Sequence, residues 1–203
     1  IWNGVIVGVV AQGAPLGDIS YRLRPLSLTT GTLAADIELR GGVATGRGRV
    51  AAGLSGYALR DGDFSIDLGR IGGYGFMGAP LEGRARARVE ALAYDGKGCR
   101  QARAAVWTNA LDAPARRYNG EGFDLEGAAR CDGADLVVAL AGSGAEGGAS
   151  LALRLRPGLT YTVEATARPA RAELENALML MGFERENGML IYASTGAIRG
   201  AGS

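Results

Sequence analysis

Three carboxylates lie close together in the chain, at Glu121, Asp124 and Glu126. Two carboxyls in one cleft can serve as general acid and general base, as they do in glycoside hydrolases. That chemistry needs one carboxyl whose pKa is raised by an apolar pocket, and spacing does not provide such a pocket. Solvated strand positions explain these residues more simply, so we expect no catalytic residue and keep a glycosidase only as a third alternative.

The 203 residues include no histidine. Serine and cysteine catalytic triads, histidine-ligated zinc and imidazole proton shuttles are therefore excluded. Two cysteines are too few to hold an iron–sulfur cluster. The glycines of Gly46-Arg-Gly48 loosely resemble a dinucleotide-binding turn, but Gly53 follows too soon for a helix to open there. We expect a non-enzymatic protein without a metal or a cofactor.

The two cysteines, Cys99 and Cys131, are separated by 32 positions, and each lies beside a turn signal. In an oxidising compartment they would form a disulfide worth roughly 3 to 4 kcal/mol on the chain-entropy estimate. The alternative is two separate buried thiols, and we favour the disulfide.

Arg84, Arg86 and Arg88 alternate with Ala85 and Ala87, which predicts an arginine ladder on one face of a strand. The ladder could bind an anionic partner or a lipid headgroup. It could equally be an outward face that protects the sheet from edge pairing. The formal net charge of +1 does not favour nucleic acid as the partner.

Apolar residues recur at every second position over most of the chain. Examples are Leu33, Ala35, Ile37 and Leu39, then Phe64, Ile66 and Leu68, then Leu151, Leu153 and Leu155. A period of two is typical of half-buried strands in an antiparallel sheet, and we count about eleven of them. Glycine-containing pairs between them, such as Asp61-Gly62 and Asp132-Gly133, predict turns.

One stretch, residues 171–181, has apolar residues three and four apart and predicts a helix that ends before Gly182. A single helix among many strands argues against a parallel sheet. The predicted fold is therefore all-β, an antiparallel curved or open sheet that forms a groove or a partly open barrel or sandwich, with one short helix near the C-terminus.

The sequence Arg-Leu-Arg-Pro occurs twice, at residues 22–25 and 154–157. We expect a single β-rich domain over residues 1–203, built from two similar units at about 1–75 and 80–203. The glycine-rich stretch 69–83 between them predicts a loop or bend, and its Tyr74, Phe76 and Met77 are candidate interaction residues.

The longest apolar run, residues 4–11, is much shorter than the about 20 residues of a membrane-spanning helix. The sequence starts at Ile1 and not at methionine. We therefore expect that an N-terminal anchor or signal precedes these residues in the native protein.

Several segments in order along the chain resemble the type II secretion system protein N family. They are Trp2-Asn-Gly4, Tyr21-Arg-Leu-Arg-Pro25, residues 92–102 leading to 106–111, residues 129–136, residues 177–183 and Asn187-Gly-Met-Leu-Ile191. The resemblance implies a periplasmic β-rich domain tethered to the inner membrane by one N-terminal helix. It also implies an accessory role in exporting folded proteins across the outer membrane, and no catalytic residues.

The leading hypothesis is an assembly scaffold that contacts other secretion-system proteins through sheet edges and loops such as residues 69–83. The alternative is a groove that binds lipid or lipoprotein, because apolar strand faces recur along the chain. An uncovered apolar trough on the concave face would favour the groove, and a filled face would exclude it. The oligomeric state is left open.

Overall fold

The structure is a computed structural model that describes residues 2–11, 14–25, 31–54, 56–71, 75–76, 79–80 and 82–197. Within these ranges the chain forms fifteen strands and two α-helices. The strands are β1 (Asn3–Ala11), β2 (Ala14–Leu23), β3 (Thr32–Gly41), β4 (Ala44–Gly53), β5 (Gly56–Asp67), β6 (Gly75–Phe76), β7 (Ala79–Pro80), β8 (Arg84–Asp95), β9 (Gly98–Thr108), β10 (Leu125–Asp132), β11 (Asp135–Gly144), β12 (Gly147–Leu155), β13 (Thr160–Pro169), β14 (Glu184–Glu186) and β15 (Met189–Ala197). The helices are α1 (Asp112–Arg117) and α2 (Ala172–Leu180).

Thirteen strands form one antiparallel sheet in the order β1-β2-β3-β4-β5-β8-β9-β10-β11-β12-β13-β15-β14, while β6 and β7 pair separately. Almost every strand lies beside its neighbour in sequence, as expected when tight turns join alternating segments. This confirms the predicted all-β fold, with an open antiparallel sheet and a short helix, α2, near the C-terminus. The predicted helix over residues 171–181 is one residue longer at each end than α2.

The structure corrects one predicted turn. Asp61-Gly62 lies inside β5, where Asp61 has a φ of 51°. The register between β4 and β5 shifts beside it, between Arg47 and Arg49. An Asp-Gly pair supplies the backbone freedom of a turn, but here it forms a β-bulge and the strand continues beyond it.

The short helix α1 was not expected from the sequence. It is six residues long and contains Pro114, with Ala113 as its buried residue. Proline is tolerated in the first turn of a helix, where the missing N–H would have no partner within the helix. One turn and a half is too short to produce a recognisable helical period in the sequence.

The sheet curls strongly at the end that contains the β8–β9 turn. Tyr94, at the end of β8, donates a hydrogen bond from its hydroxyl to the Arg156 carbonyl in the β12–β13 turn, at 2.8 Å. Four strand spacings separate β8 from β12, which is about 19 Å in a flat sheet. A tyrosine side chain cannot span that distance, so the sheet face that carries Tyr94 must be concave.

Two further contacts stabilise the same end of the sheet. The Cys99 amide donates to the Ala134 carbonyl in the β10–β11 turn at 2.7 Å. Cys99 also forms a disulfide with Cys131 on β10, with the two Cα atoms 5.6 Å apart. The predicted disulfide is therefore present, and it links β9 to β10 where their ladder has ended at Ala104 and Ala129.

At the opposite end, α2 packs on the concave face. Its Leu178 contacts a core of Ala167, Phe183 and Leu190, in which Phe183 also lies 5.4 Å from the ring of Tyr192. This small core packs α2 against one end of the sheet. It contains few large side chains. In the described ranges no helix has both the length and the apolar character needed to cross a membrane.

We expect Tyr94→Phe to lower the free energy of unfolding by about 1 kcal/mol, because it removes the hydrogen bond between β8 and the β12–β13 turn. Burial raises the pKa of Tyr94 above its usual value of 10.0, with Asp135 and Asp95 adding to the effect. The Tyr94 contribution should therefore be complete below pH 10 and disappear as the pH rises through the raised pKa. Urea denaturation at several pH values measures it.

The matched control is Tyr57→Phe, because Tyr57 lies directly opposite Tyr94 on β5 and is 73% exposed. Its hydroxyl makes no hydrogen bond to the residues that the structure describes. Equal losses for the two variants would contradict the role given to the Tyr94 hydrogen bond.

Replacing both Cys99 and Cys131 by alanine should lower the free energy of unfolding by roughly 3 to 4 kcal/mol, given a sequence separation of 32. Denaturation of the oxidised protein, the reduced protein and the double variant measures the loss. The reduced protein and the double variant should agree. No change on reduction would show that the cross-link does not stabilise this end of the sheet.

Candidate functional site

The candidate site is the concave face of the sheet, which we name the apolar trough. Strand register defines it, because residues directly opposite one another in an antiparallel ladder share a face. Its positions are Gly4 and Ile6 (β1); Ile19, Tyr21 and Leu23 (β2); Leu33, Ala35, Ile37 and Leu39 (β3); Ala44, Gly46, Gly48, Val50 and Ala52 (β4); Tyr57, Leu59, Gly62, Phe64 and Ile66 (β5); Ala85, Ala87, Val89, Leu92 and Tyr94 (β8); Cys99, Ala102, Ala104, Val106 and Thr108 (β9); Leu125, Gly127, Ala129 and Cys131 (β10); Leu136, Val138, Leu140 and Gly142 (β11); Ala149, Leu151, Leu153 and Leu155 (β12); and Tyr161, Val163, Ala165 and Ala167 (β13).

Charge separates the two faces of the sheet. Within the described residues, no charged side chain occupies a trough position from β1 to β13. The opposite face, which we call convex after its shape between β8 and β12, carries the charged residues, for example the ion pairs of Asp36 with Arg24 and Arg49. Beside β1 to β5 this face has a polar depression of about 620 Å³ lined by Asp36, Glu38 and Arg47. The hydrogen bond that Asp36 accepts from Arg24 holds the pKa of Asp36 below its usual value. One face of the sheet is therefore apolar and the other is charged.

A cavity of about 510 Å³ lies where α1 and α2 cover the trough, and we name it the helix-covered cavity. Strands β8 to β13 supply its floor, including Ala85, Val106, Leu151 and Val163. Among the described residues, Glu146 is the one charged residue that lines the helix-covered cavity. The space is therefore suited to an apolar ligand.

Glu146 forms an ion pair at the rim of this cavity and does not act as a free carboxylate. Its Oε2 accepts from the Arg171 guanidinium at 2.7 Å, and the same guanidinium donates to the Tyr118 carbonyl at 3.3 Å. Arg171 is the residue before α2, and Tyr118 is the residue after α1. This ion pair thus ties both covering helices to the β11–β12 turn.

A second space of about 380 Å³ lies on the same face, nearer the curled end, and we name it the open groove. Its lining includes Leu33, Leu59, Tyr57 and Tyr94. Strand β8 connects the two spaces, since it gives Ala85 to the cavity and Tyr94 to the groove. The trough is therefore uncovered along the open groove and covered only under the helices.

Glycines make part of the trough floor smooth. The ring of Phe64 lies across Gly46, Gly48 and Gly62, where an added Cβ would come within 2.6 to 3.0 Å of its atoms. Any larger residue at these three positions would push the ring up into the trough. Part of the glycine content of the chain therefore has a packing reason and not only a compositional one.

The predicted arginine ladder lies on the convex face, away from the trough. Arg84, Arg86 and Arg88 are all exposed, as the alternation indicated. Arg86 stacks over the ring of Trp107 on β9, with 5.3 Å between the guanidinium carbon and the ring centroid. Its contact with an anionic partner stays a prediction.

The other residues that the sequence predicts as candidates do not contribute to the trough. Glu121, Asp124 and Glu126 are exposed, and among the described residues no three acidic or cysteine side chains group as a metal site. Tyr74 and Met77 lie outside the described residues, and of Phe76 only the backbone is described, in β6.

Sequence reasoning did not list the trough residues as a site. The signal was present, because each alternating stretch has one apolar and one polar face. What the sequence does not contain is the register that aligns all the apolar faces, or the curl that makes the aligned face concave. Ala85 and Val163, 78 positions apart, line one cavity only after both are fixed.

Chemically, the trough can hold hydrocarbon and little else. Its backbone amides and carbonyls are used by neighbouring strands within the sheet, and its side chains offer few hydrogen-bonding atoms.

Comparison with known proteins gives one match. No curated protein sequence and no solved structure matches the chain significantly. A family model described as type II secretion system (T2SS), protein N, matches residues 1–191. The match covers nearly the whole chain and confirms the resemblance carried by the segments from Trp2 to Ile191. The chain belongs to the type II secretion system protein N family, and thereby to the machinery of type II secretion.

Proposed function

We propose that the protein is a non-catalytic periplasmic component of the type II secretion system whose apolar trough binds the acyl chains of an envelope lipid or lipoprotein. The observation that carries this proposal is the polarity of the trough. No charged residue occupies its positions from β1 to β13 in the described ranges, and both spaces open onto it.

An acyl chain suits the trough better than a peptide does. A peptide laid in the trough would bring amides and carbonyls that the paired strands below could not satisfy, and each such group costs roughly 1 to 3 kcal/mol when buried. An acyl chain has no such groups. It gains about 0.8 kcal/mol for each methylene that leaves water.

The size of the spaces suits the same ligand. Volumes of about 510 and 380 Å³ fall within the range of small-molecule sites. About ten buried methylenes would contribute roughly 8 kcal/mol before the cost of association. That contribution is sufficient for binding without any ion pair to the ligand.

The disulfide between Cys99 and Cys131 supports the location, since such bonds form and persist in oxidising compartments. Family membership supports a place in the cell envelope. The inner-membrane tether that the family resemblance implies is part of this proposal.

Native mass spectrometry of the domain made in the periplasm should show a lipid adduct that organic extraction removes. Ala85→Glu, on the cavity floor, should reduce the adduct about tenfold or more, because an acyl chain would desolvate the new carboxylate. Ala141→Glu is the matched control, because Ala141 is exposed on the convex face of β11.

Ala85→Phe tests the same site without a charge, since it fills the cavity and should also weaken the adduct. Thermal unfolding of each variant establishes that it is folded. A bare wild-type chain that also takes up no lipid from phospholipid vesicles would contradict the proposal. So would equal adducts in Ala85→Glu and Ala141→Glu.

The second candidate function is the assembly scaffold, and the observation that favours it is the first strand. Strand β1 is the outer strand of the sheet, spans nine residues and contains no charged residue. Its Val5 and Val7 are 59% and 75% exposed. An edge of this kind is a template for another strand. In this function the ladder Arg84, Arg86 and Arg88 would contact an acidic partner surface.

Val5→Lys should reduce secretion of a type II substrate severalfold in cells that depend on this protein, because a charged edge side chain opposes strand addition. Leu54→Lys is the control, since Leu54 is fully exposed in the β4–β5 turn, away from β1. Unchanged secretion with Val5→Lys, at equal protein level, would contradict a scaffold that works through this edge.

A further inference from the structure

We propose that β1 pairs with β1 of a second copy, in antiparallel register about Val5, so that the two sheets and their apolar troughs become continuous. This pairing rests on the scaffold function and names its partner. It does not depend on what the trough binds.

The first step is the direction of the backbone groups along β1. The Leu23 amide donates to the Trp2 carbonyl at 2.6 Å, so Trp2 faces β2 with its hydrogen-bonding groups. Because these groups alternate along an antiparallel strand, those of Asn3, Val5 and Val7 point away from the sheet. The described edge therefore offers three amides and three carbonyls at regular spacing.

The second step is where regular pairing must stop. Gly8 has a φ of 68°, and the β1–β2 register shifts between Ile6 and Val9. The Gly8 amide is already bound by the Asp18 carboxylate at 3.0 Å. A partner strand can therefore follow the edge only over residues 3–7, whose centre is Val5.

The third step is that this segment is complementary to itself. A two-fold axis at Val5 places Val5 opposite Val5, and Asn3 opposite Val7, on the convex face. On the trough face it places Ile6 opposite Gly4. Three pairs would each exchange two hydrogen bonds, about six in all. The β-branched pair and the large-against-small pair are favourable cross-strand neighbours, and no like charges meet.

The fourth step is the contrast with the opposite edge of the sheet. There β14 is three residues long and consists of Glu184, Arg185 and Glu186, all of them exposed. Short, charged strands of this kind block edge pairing. The part of β15 that β14 leaves unpaired, residues 192–197, is uncharged as well, but it consists of tyrosine, alanine, glycine and two hydroxyl residues and has no branched aliphatic side chain. Of the two uncharged edges in the described residues, β1 is therefore the more strongly apolar one.

A two-fold axis perpendicular to the sheet keeps both concave faces on the same side. The strands run across the trough, so strands added at β1 extend the trough along its length. The second copy would therefore not cover it. The joined face would carry Gly4 and Ile6 of each copy at its centre, with no charged residue there.

Single cysteine variants test the register. Both native cysteines are in the disulfide, so an introduced cysteine is the only thiol. With a mild oxidant or a short bis-maleimide cross-linker at high protein concentration, Val5→Cys should form a covalent dimer, because residues opposite one another in a hydrogen-bonded pair have Cα atoms about 5.5 Å apart. Non-reducing electrophoresis and intact mass measure the dimer.

Val7→Cys is the matched control on the same edge. In the proposed register two Val7 positions lie four residues apart along the strands, about 14 Å, which is too far for a disulfide. Val7→Cys alone and the exposed Leu54→Cys should stay monomeric, while Asn3→Cys mixed with Val7→Cys should give the mixed dimer.

Equal cross-linking of Val5→Cys, Val7→Cys and Leu54→Cys would overturn the proposal, since it would show random collision. Absence of the Val5→Cys dimer would overturn it as well. If Val5→Lys nevertheless impaired secretion, the scaffold function would stand with a different chain on β1. If neither variant had an effect, both would be wrong.

Discussion

Curvature of the sheet is the constraint on which the other features depend, and the hydrogen bond from Tyr94 to the Arg156 carbonyl is its clearest sign. A single layer of thirteen strands has two faces, and within the described residues the other sheet is only the two-residue pair β6–β7. Curling makes the apolar face concave without filling it, and trough residues such as Leu33 and Tyr57 stay exposed to water. The Cys99–Cys131 disulfide stabilises the same end, and α2 covers the other end.

A consequence of this single-layer sheet is a small hydrophobic core. Most of the buried apolar residues are alanine or valine, and Leu190 is the largest side chain that is fully buried among the described residues. Small side chains contribute less transfer free energy than leucine or phenylalanine. The continuous hydrogen-bond ladder and the cross-link therefore contribute a larger share of the stability here than beside a core of large side chains. A larger core would fill the space that the proposed acyl chain would occupy.

Local features of the fold were predictable because they depend on neighbouring residues. Alternation gave the strands, and the spacing from Leu174 to Met181 gave α2. The Asp61-Gly62 pair predicts a turn but forms a bulge, because the same dipeptide occurs in both and only the pairing with the partner strand distinguishes them. The helix-covered cavity could not be predicted, since Ala85 and Val163 meet through register and curl over many strands.

Trough and edge together restrict how the protein can act. A ligand in the open groove would reach β1 by crossing β3 and β2, whose trough positions include Leu33, Ile37, Ile19 and Tyr21. No charged side chain interrupts that path in the described residues. An acyl chain moving along it would exchange one apolar contact for another, at little cost per step. An exposed β1 would be the point where such a path meets water. A partner that continued the sheet at β1 would therefore remove an unpaired edge and an apolar opening together.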